Sequence, residues 1–600
     1  MIKTNQTYHR LIHLIGFLFF GSFFIISWIY YKERILSFDP AFFSFRMIET
    51  KSFSIACGRW GTIFSQIIPL IALKSHCSLE IFLRLYSLSF IIIYYIIFLL
   101  CTEVLKNYRA GLAFMLTLCL CFRWVFYYTT MELFMGMAFS VLLWAIIAPV
   151  NPYSSKLKQW SATIISLLLI YVISYFHQLA FFCIVFAILF ELIWNKRWKD
   201  KHIWIVFIFT ILWFYLRIIF FTTSSYEQAK MEGQEDMFSY LPDFFSLKSW
   251  TYFKIYFWTS LKSLSLTFFF CLIILTLRRQ WLLLSCFFLF NIGYVIFMVL
   301  LSSQGVDELF FQSYSTLFGF FNGVAFLYLI NDKFPKSIAL FLISFLLFTN
   351  VKGIYKAHFI QTERINYFDR LTEYGNKMSN KKYILSTKNI PNSIIFYHQF
   401  LPFEILQYSS IKSFDSTLTF FPAENMNEFD TLLNNKNLFL GVPWDALNFQ
   451  SNTISRNFYH LPSTKYVKVN TSQKDSSFKE SIFNNKNIFI NVPNNELHSN
   501  VYNFIVAPIK ILNTSEQTIN SIPDGEHSVY LSYHLYNKDG ILISWDNART
   551  TLEVDIKDEY TQGLMVYLPS KKGEYIIEVD FVTDGIRWWN ATTRFNLIVE

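Results

Sequence analysis

The chain has 600 residues, of which 54% are hydrophobic, 20% aromatic and only 16% charged, with 69 phenylalanines. That is too apolar for a soluble protein of this length, so a bilayer must supply part of its solvent, and more than one structural unit is expected. The formal charge of +9 does not mark a nucleic-acid binder, because the basic residues stand in short clusters between apolar runs, the pattern of positive-inside bias.

In chain order, apolar runs at 11–31, 80–100, 110–122, 131–150, 161–173, 179–194, 203–221, 261–277, 281–301, 314–330 and 337–348 predict an all-α membrane bundle of about eleven spans. The first run is too long for a signal peptide and lacks its small-residue cleavage site, so it reads as a retained helix. Every second loop is basic: Lys3 and Arg10, Lys106 and Arg109, Lys156 and Lys158, "NKRWKDK" from 195, Arg278 and Arg279, Lys333 and Lys336. The alternate loops are longer or more acidic, as in "YEQAKMEGQEDMFSYLPD" from 226 and "SSQGVDE" from 302. This asymmetry predicts a cytoplasmic N-terminus and places residues after about 350 outside the cytoplasmic (inner) membrane. The eight cysteines all fall in the apolar half, with no Cys-x-x-Cys or Cys/His spacing; no metal site is read from them.

Ionisable and polar groups can then be placed by depth. Asp39, Arg46 and Arg59 fall in the first external loop, Arg123 after the third run, Glu132 at the start of the fourth, His177 between the fifth and sixth, and Arg217 near the outer end of the seventh. Asp307, Glu308 and Gln312 precede the tenth run. Each alone has an ordinary explanation, such as a snorkelling arginine or a solvated helix start. Their common depth favours a shared functional role, since charge at a membrane edge is costly.

"ILSFDPAFFSFRMIE" (35–49) follows the first run. Aspartate is a favoured N-cap and proline is tolerated at the first helical position, so a helix from Pro40 to Thr50 is expected. Its apolar side, Ala41, Phe42, Phe45 and Ile48, would rest in the membrane interface. Capping alone would account for Asp39.

A second reading comes from resemblance. "DPAFF" (39–43) resembles the Asp-Glu-Ala-Tyr-Tyr pattern after the first span of GT-C-type glycosyltransferases, with Pro40 in place of the glutamate and Phe42 and Phe43 in place of the tyrosines. "SQIIPLIALKSHCSLEIFLRLYSLSF" (65–90) is similar to that family's Pro-Leu-rich segment and following Arg-x-x-Ser, here Pro69, Leu70, Arg84 and Ser87. The resemblance covers about the first 350 residues and is strongest in the first 90.

It implies a GT-C-like fold and a glycosyltransferase that moves a sugar from a polyprenyl-phosphate donor to a lipid or polysaccharide acceptor at the outer face, with inversion. Asp39 would then be the general base. Arg59, Arg123 and Arg217 would be the phosphate contacts, because a guanidinium fork matches phosphate oxygens, with His177 as a further donor. Glu132, Glu308 and Gln312 stand behind them. The residues name neither the sugar nor the acceptor, and do not decide whether a divalent cation takes part. Two other classes remain: a flippase for lipid-linked saccharide, which would carry polar groups at mid-membrane, and a non-catalytic envelope glycan assembly protein.

After residue 350 the texture changes. "KYILST", "SIIFYH", "STLTFF" and "NLFLGV" alternate with helical or loop segments, which predicts an α/β unit within 351–500; without a phosphate-cradling glycine loop, nucleotide binding is not expected. Residues 501–600 carry strand-like runs separated by turns such as "KDG" and "KKG", the rhythm of an antiparallel, Ig-like β-sandwich. This stretch also resembles accessory sandwich domains found with polysaccharide-modifying enzymes, through "SYHLYNKDG", "RTTL", "LPSKKGEYIIEVDFV" and "GIRWW". On a strand Trp588 and Trp589 must face opposite ways: one fills the core, and the other, with His534 beside it, is a candidate glycan contact.

Overall fold

A computed structural model of the chain describes residues 2–599 apart from 131, 150–153, 221–236, 304–307, 379, 388–389, 391–394, 396, 425–434, 442–447, 451–453, 470–487, 494, 500–503, 516–517, 520–528, 570 and 584–586. It divides into two units, one formed by Met1–Ile35 and Arg46–His358, the other by Leu36–Phe45 and Phe359–Glu600.

The first unit is helical. Among the described residues, six helices are long and apolar enough to cross a membrane: Thr7–Ile29, Leu79–Val104, Lys156–Ser174, Trp281–Leu301, Phe311–Ile330 and one that begins at Lys336. A pair bent by 87°, Lys248–Trp258 and Lys262–Leu277, makes a seventh when counted as one span. The expectation of eleven spans is therefore not met. Three of the apolar runs fold as helices of only 14, 16 and 15 residues, Tyr108–Cys121, Glu132–Ile147 and Ala180–Trp194. At 1.5 Å per residue these reach about 21–24 Å, short of a hydrocarbon core of about 30 Å. They are apolar for another reason: every residue from Ala110 to Cys121 is buried within the protein. A helix surrounded by protein and one surrounded by lipid have the same hydropathy.

Close backbone approach holds part of this bundle together. Gly319 and Gly323, one turn apart on the helix Thr316–Lys333, pack against Tyr108–Cys121. A Cβ on Gly319 would stand 2.2 Å from Cys121 Sγ, and one on Gly323 3.0 Å from Thr117 Oγ1. This is the small-xxx-small packing of membrane helices, and Thr117 Oγ1 adds bonds to Ala113 O at 2.8 Å and Gly319 O at 3.4 Å. Arg197, read from sequence as a loop cation, is buried and pairs with Asp200 at 2.6 Å and Glu191 at 3.3 Å. All eight cysteines are free thiols.

The second unit begins with an α/β layer. Strands β1 (Lys382–Ser386) and β2 (Thr419–Ala423) run parallel, β3 (Leu438–Leu440) and β4 (Asn448–Gln450) form an antiparallel pair, and β5 (Val467–Lys468) completes the first sheet in the order β2-β1-β5. The helix Leu401–Lys412 packs on β2 with ten of its residues buried. Next come β6 (Ile488–Asn491), β7 (Glu496–Ser499), β8 (Phe504–Asn513), β9 (Val529–Asn537), β10 (Leu542–Ser544), β11 (Thr550–Thr551), β12 (Glu559–Tyr567), β13 (Gly573–Thr583), β14 (Arg587–Trp588) and β15 (Thr593–Val599).

These strands make two sheets, β12-β8-β6 and β10-β9-β13-β15-β7, with β11 added to β9 and β14 to β13. Side chains from both sheets, among them Ile509, Ile511, Leu564, Leu531, Ile577, Val579 and Phe595, form one core. The sandwich departs from the predicted purely antiparallel form at one edge, where β7 runs parallel to β15. It also takes in β6 and β7, which precede residue 501.

Candidate functional site

Asp39 lies half-buried in the first turn of the helix Phe38–Thr50, which starts two residues before the predicted Pro40. Its setting differs from the expected one. Ala41, Phe42 and Phe45, expected to rest in the membrane interface, are at most 3% exposed because the second unit's own side chains cover them. The Phe403 ring lies 5.5 Å from Phe42 and 4.9 Å from Phe45, and Phe439 lies 5.7 Å from Phe45. An aromatic helix face does not need lipid when a protein core is within reach, and such ring pairs add to the area they bury.

Polar contacts fix the same turn. The Phe38 N–H donates to Glu404 Oε1 at 2.8 Å, Ser44 Oγ donates to Gln407 Oε1 at 2.8 Å, and Gln407 Nε2 donates to Ala41 O at 2.6 Å. The Arg364 guanidinium lies over the Phe38 ring, 5.2 Å from its centre. Burial pushes the Glu404 carboxyl up to about 7, opposed by the Arg364 charge and the Phe38 N–H. Phe38 itself takes a positive φ of 47°, a conformation that costs a bulky residue about 1–3 kcal/mol and persists only where the surroundings enforce it. Sequence reasoning missed Glu404, Gln407 and Arg364, because nothing local links them to a loop more than three hundred positions earlier.

The remaining candidates belong to the first unit. Arg59 precedes the turn Trp60–Thr62 and pairs through Nη1 with Glu132 Oε2 at 3.1 Å, with the two side chains 18% and 14% exposed. The Gly61 N–H donates to Tyr175 O at 3.1 Å, and the Arg217 guanidinium stands over the Tyr175 ring at 4.8 Å. His177, two residues on, accepts the Leu179 N–H at Nδ1 at 3.1 Å, so in its neutral form the ring proton sits on Nε2. Between these elements lies a mainly apolar cavity of about 330 Å³ lined by Trp60, Gly61, Phe64, Tyr171, Val172 and Tyr175. Arg59 is the chain neighbour of its lining residue Trp60 and Arg217 stands over its lining residue Tyr175, but Arg59, Glu132, His177 and Arg217 are not themselves among the lining residues.

Arg123 does not join them. It is buried, with Nη1 donating to Cys119 O at 3.0 Å and to Phe122 O, and Nη2 to Asn350 Oδ1. It braces one helix end against another. Gln312 is 2% exposed, and its Oε1 has no hydrogen-bond partner among the described residues. Glu308 opens the helix Glu308–Tyr314; its side chain, and Asp307 altogether, lie outside the described residues. No group of three or more His, Cys, Asp or Glu placed to hold a metal ion occurs among the described residues.

In the sandwich, Trp589 is 3% exposed, bonds Thr583 Oγ1 through Nε1 at 2.7 Å and packs 5.0 Å from Phe581, so it belongs to the core. Trp588 is half-buried on the other side. His534 is covered rather than open: at 1% exposure it is stacked 3.7 Å under Trp545, with Trp588 4.2 Å away. The outward aromatic surface of this group is Trp545, 47% exposed, which the sequence reading did not single out. No family model, no curated protein and no solved structure matches the chain.

Proposed function

We propose that the chain is a membrane-embedded glycosyltransferase of GT-C type that moves a sugar from a polyprenyl-phosphate carrier to a lipid or glycan acceptor at the outer face of the membrane. Asp39 takes the proton from the acceptor hydroxyl, the hydroxyl oxygen bonds to the anomeric carbon, and the bond from that carbon to the phosphate oxygen breaks. The polyprenyl phosphate leaves with the bond's electron pair. Attack opposite the leaving group inverts the anomeric centre. General-base help of this kind is worth about a hundred- to ten-thousandfold.

One observation carries the reading beyond the sequence resemblance. The turn that holds Asp39 is fixed by Glu404, Gln407 and Phe403 while Asp39 itself stays partly exposed, and a base must be held in place to act. As the sequence resemblance implies, Arg59 and Arg217 remain the proposed contacts of the leaving phosphate, with His177 as a further donor. Arg123 is withdrawn from that role because its guanidinium is spent on backbone carbonyls and Asn350. The apolar cavity beside Tyr175 suits an isoprenoid chain. The test is transfer from a radiolabelled polyprenyl-phosphate sugar to a crude envelope acceptor, comparing the wild type with Asp39→Asn: loss of transfer in a folded variant supports the reading, and undiminished transfer rejects it.

A further inference from the structure

The second unit contains a cavity of about 430 Å³ with no part in the scheme above. It lies between the helix His358–Lys377 and the β11–β12 edge of the sandwich, and its wall includes Arg370, Lys412, Glu373, Glu553, Asp555 and Tyr560. The volume is that of an ordinary small-ligand site.

Arg370 sets its chemistry. The residue is 5% exposed, and of its three guanidinium nitrogens only Nη2 is bonded, to Thr551 Oγ1 at 2.9 Å; Nε and Nη1 have no hydrogen-bond partner among the described residues. Buried donors left in this way are costly, and more so on a charged group. The acids nearest to it do not remove that demand. Glu553 already accepts the Tyr560 hydroxyl at 2.9 Å and the Gly563 N–H at 3.3 Å. Glu363 is pushed up to about 7 by burial and by the charge of Glu553, so near neutrality it carries only part of a charge. Lys412 is paired with Asp369. A guanidinium so placed matches a carboxylate or a phosphate.

The rest of the wall is not that of a simple anion hole. Glu373 and Asp555 are exposed carboxylates at its edge, Asn366 offers both donor and acceptor, and the Tyr560 ring forms one side. Such acceptors would repel a bare anion, but they suit a ligand with several hydroxyls and one acidic group. We propose that this cavity binds an anionic saccharide, its carboxylate or phosphate held by Arg370 and its hydroxyls by Glu373, Asp555 and Asn366. The assignment stands whether or not Asp39 transfers a sugar.

The test uses the purified full-length protein in detergent and titration calorimetry with four probes: a disaccharide ending in glucuronic acid, its neutral glucose counterpart, glucose 1-phosphate and inorganic phosphate. The acidic disaccharide or glucose 1-phosphate should bind at least about tenfold more tightly than the neutral sugar and inorganic phosphate, and Arg370→Gln should weaken it about ten- to a hundredfold. The stronger of the two identifies the acidic group. Equal binding of acidic and neutral sugars overturns the proposal, as does inorganic phosphate binding as tightly as either acidic sugar, or no binding at all. Should Arg370→Gln fail to fold, Lys377→Gln decides, because Lys377 is an exposed cation in the same wall: it weakens the acidic sugar severalfold, and unchanged affinity overturns the proposal.

Discussion

The Phe38 amide and the Glu404 carboxylate, 366 positions apart, meet at 2.8 Å. That bond, together with Gln407 and Phe403, holds residues 38–45 within the second unit. A loop that reads in sequence as a membrane-surface helix is in fact an element of the C-terminal region's core.

The anchor predicts a pH dependence. Glu404 is raised from an ordinary value of 4.5 to about 7, chiefly by burial. Between those values the folded state keeps a proton that the unfolded state has lost, so this group's contribution is fully present below 4.5 and is lost as pH rises toward 7, by at most about 1.4 kcal/mol per pH unit. Glu404→Gln keeps an acceptor for Phe38 and removes the titration. Thermal unfolding in detergent from pH 5 to 8 should therefore show the variant gaining on the wild type up to about pH 7 and holding its lead above. Parallel curves would refute the assignment.

The glycine pair predicts where the bundle tolerates no bulk. Gly319→Val puts atoms where Cys121 Sγ already stands, and overpacking of this sort costs about 1–3 kcal/mol or more. Gly293, whose Cβ would meet nothing within 4 Å, is the control: on its helix, Gly293→Ala should be neutral or slightly stabilising. The two unfolding midpoints, measured side by side, check this.

The Arg59–Glu132 pair at 3.1 Å is partly buried, so removing one partner strands the other. The losses of Arg59→Ala and Glu132→Ala should sum to more than the loss of the double variant, with a coupling of about 0.5–3 kcal/mol in a double-mutant cycle. In the transfer assay Arg59→Ala should also raise the KM for the donor. Additive losses would mean that the ion pair carries no energy of its own.

The two tryptophans of the sandwich should separate cleanly. Trp589→Ala empties a core position beside Phe581 and leaves Thr583 unpartnered, at a cost of about 3–5 kcal/mol. Trp545, 47% exposed, should be much more tolerant of alanine because it loses mainly its stacking on His534. Differential scanning calorimetry of the two variants gives the comparison.

Apolar periodicity located the helices well, since burial in any non-aqueous surroundings needs the same residues. It could not count the spans, because Ala110–Cys121 is enclosed by protein and Trp281–Leu301 is partly exposed, yet the two read alike. The alternation in "RWW" showed that one tryptophan must enter the core, and geometry gave that place to Trp589. The Gly319-x-x-x-Gly323 spacing was legible and was missed. The contacts of Glu404, Gln407 and Arg364 with the Asp39 turn were not legible, because pairing between distant segments leaves no mark on local pattern.

In the proposed reaction Asp39 is the base, on a turn held by Glu404, Gln407 and Phe403. Single-turnover transfer from a polyprenyl-phosphate sugar, followed in wild type and Asp39→Asn at equal donor occupancy, tests it most directly. The expected rate is about a hundred- to ten-thousandfold lower in the variant, with unchanged donor binding and an unchanged unfolding midpoint. Equal rates in the two proteins would contradict it.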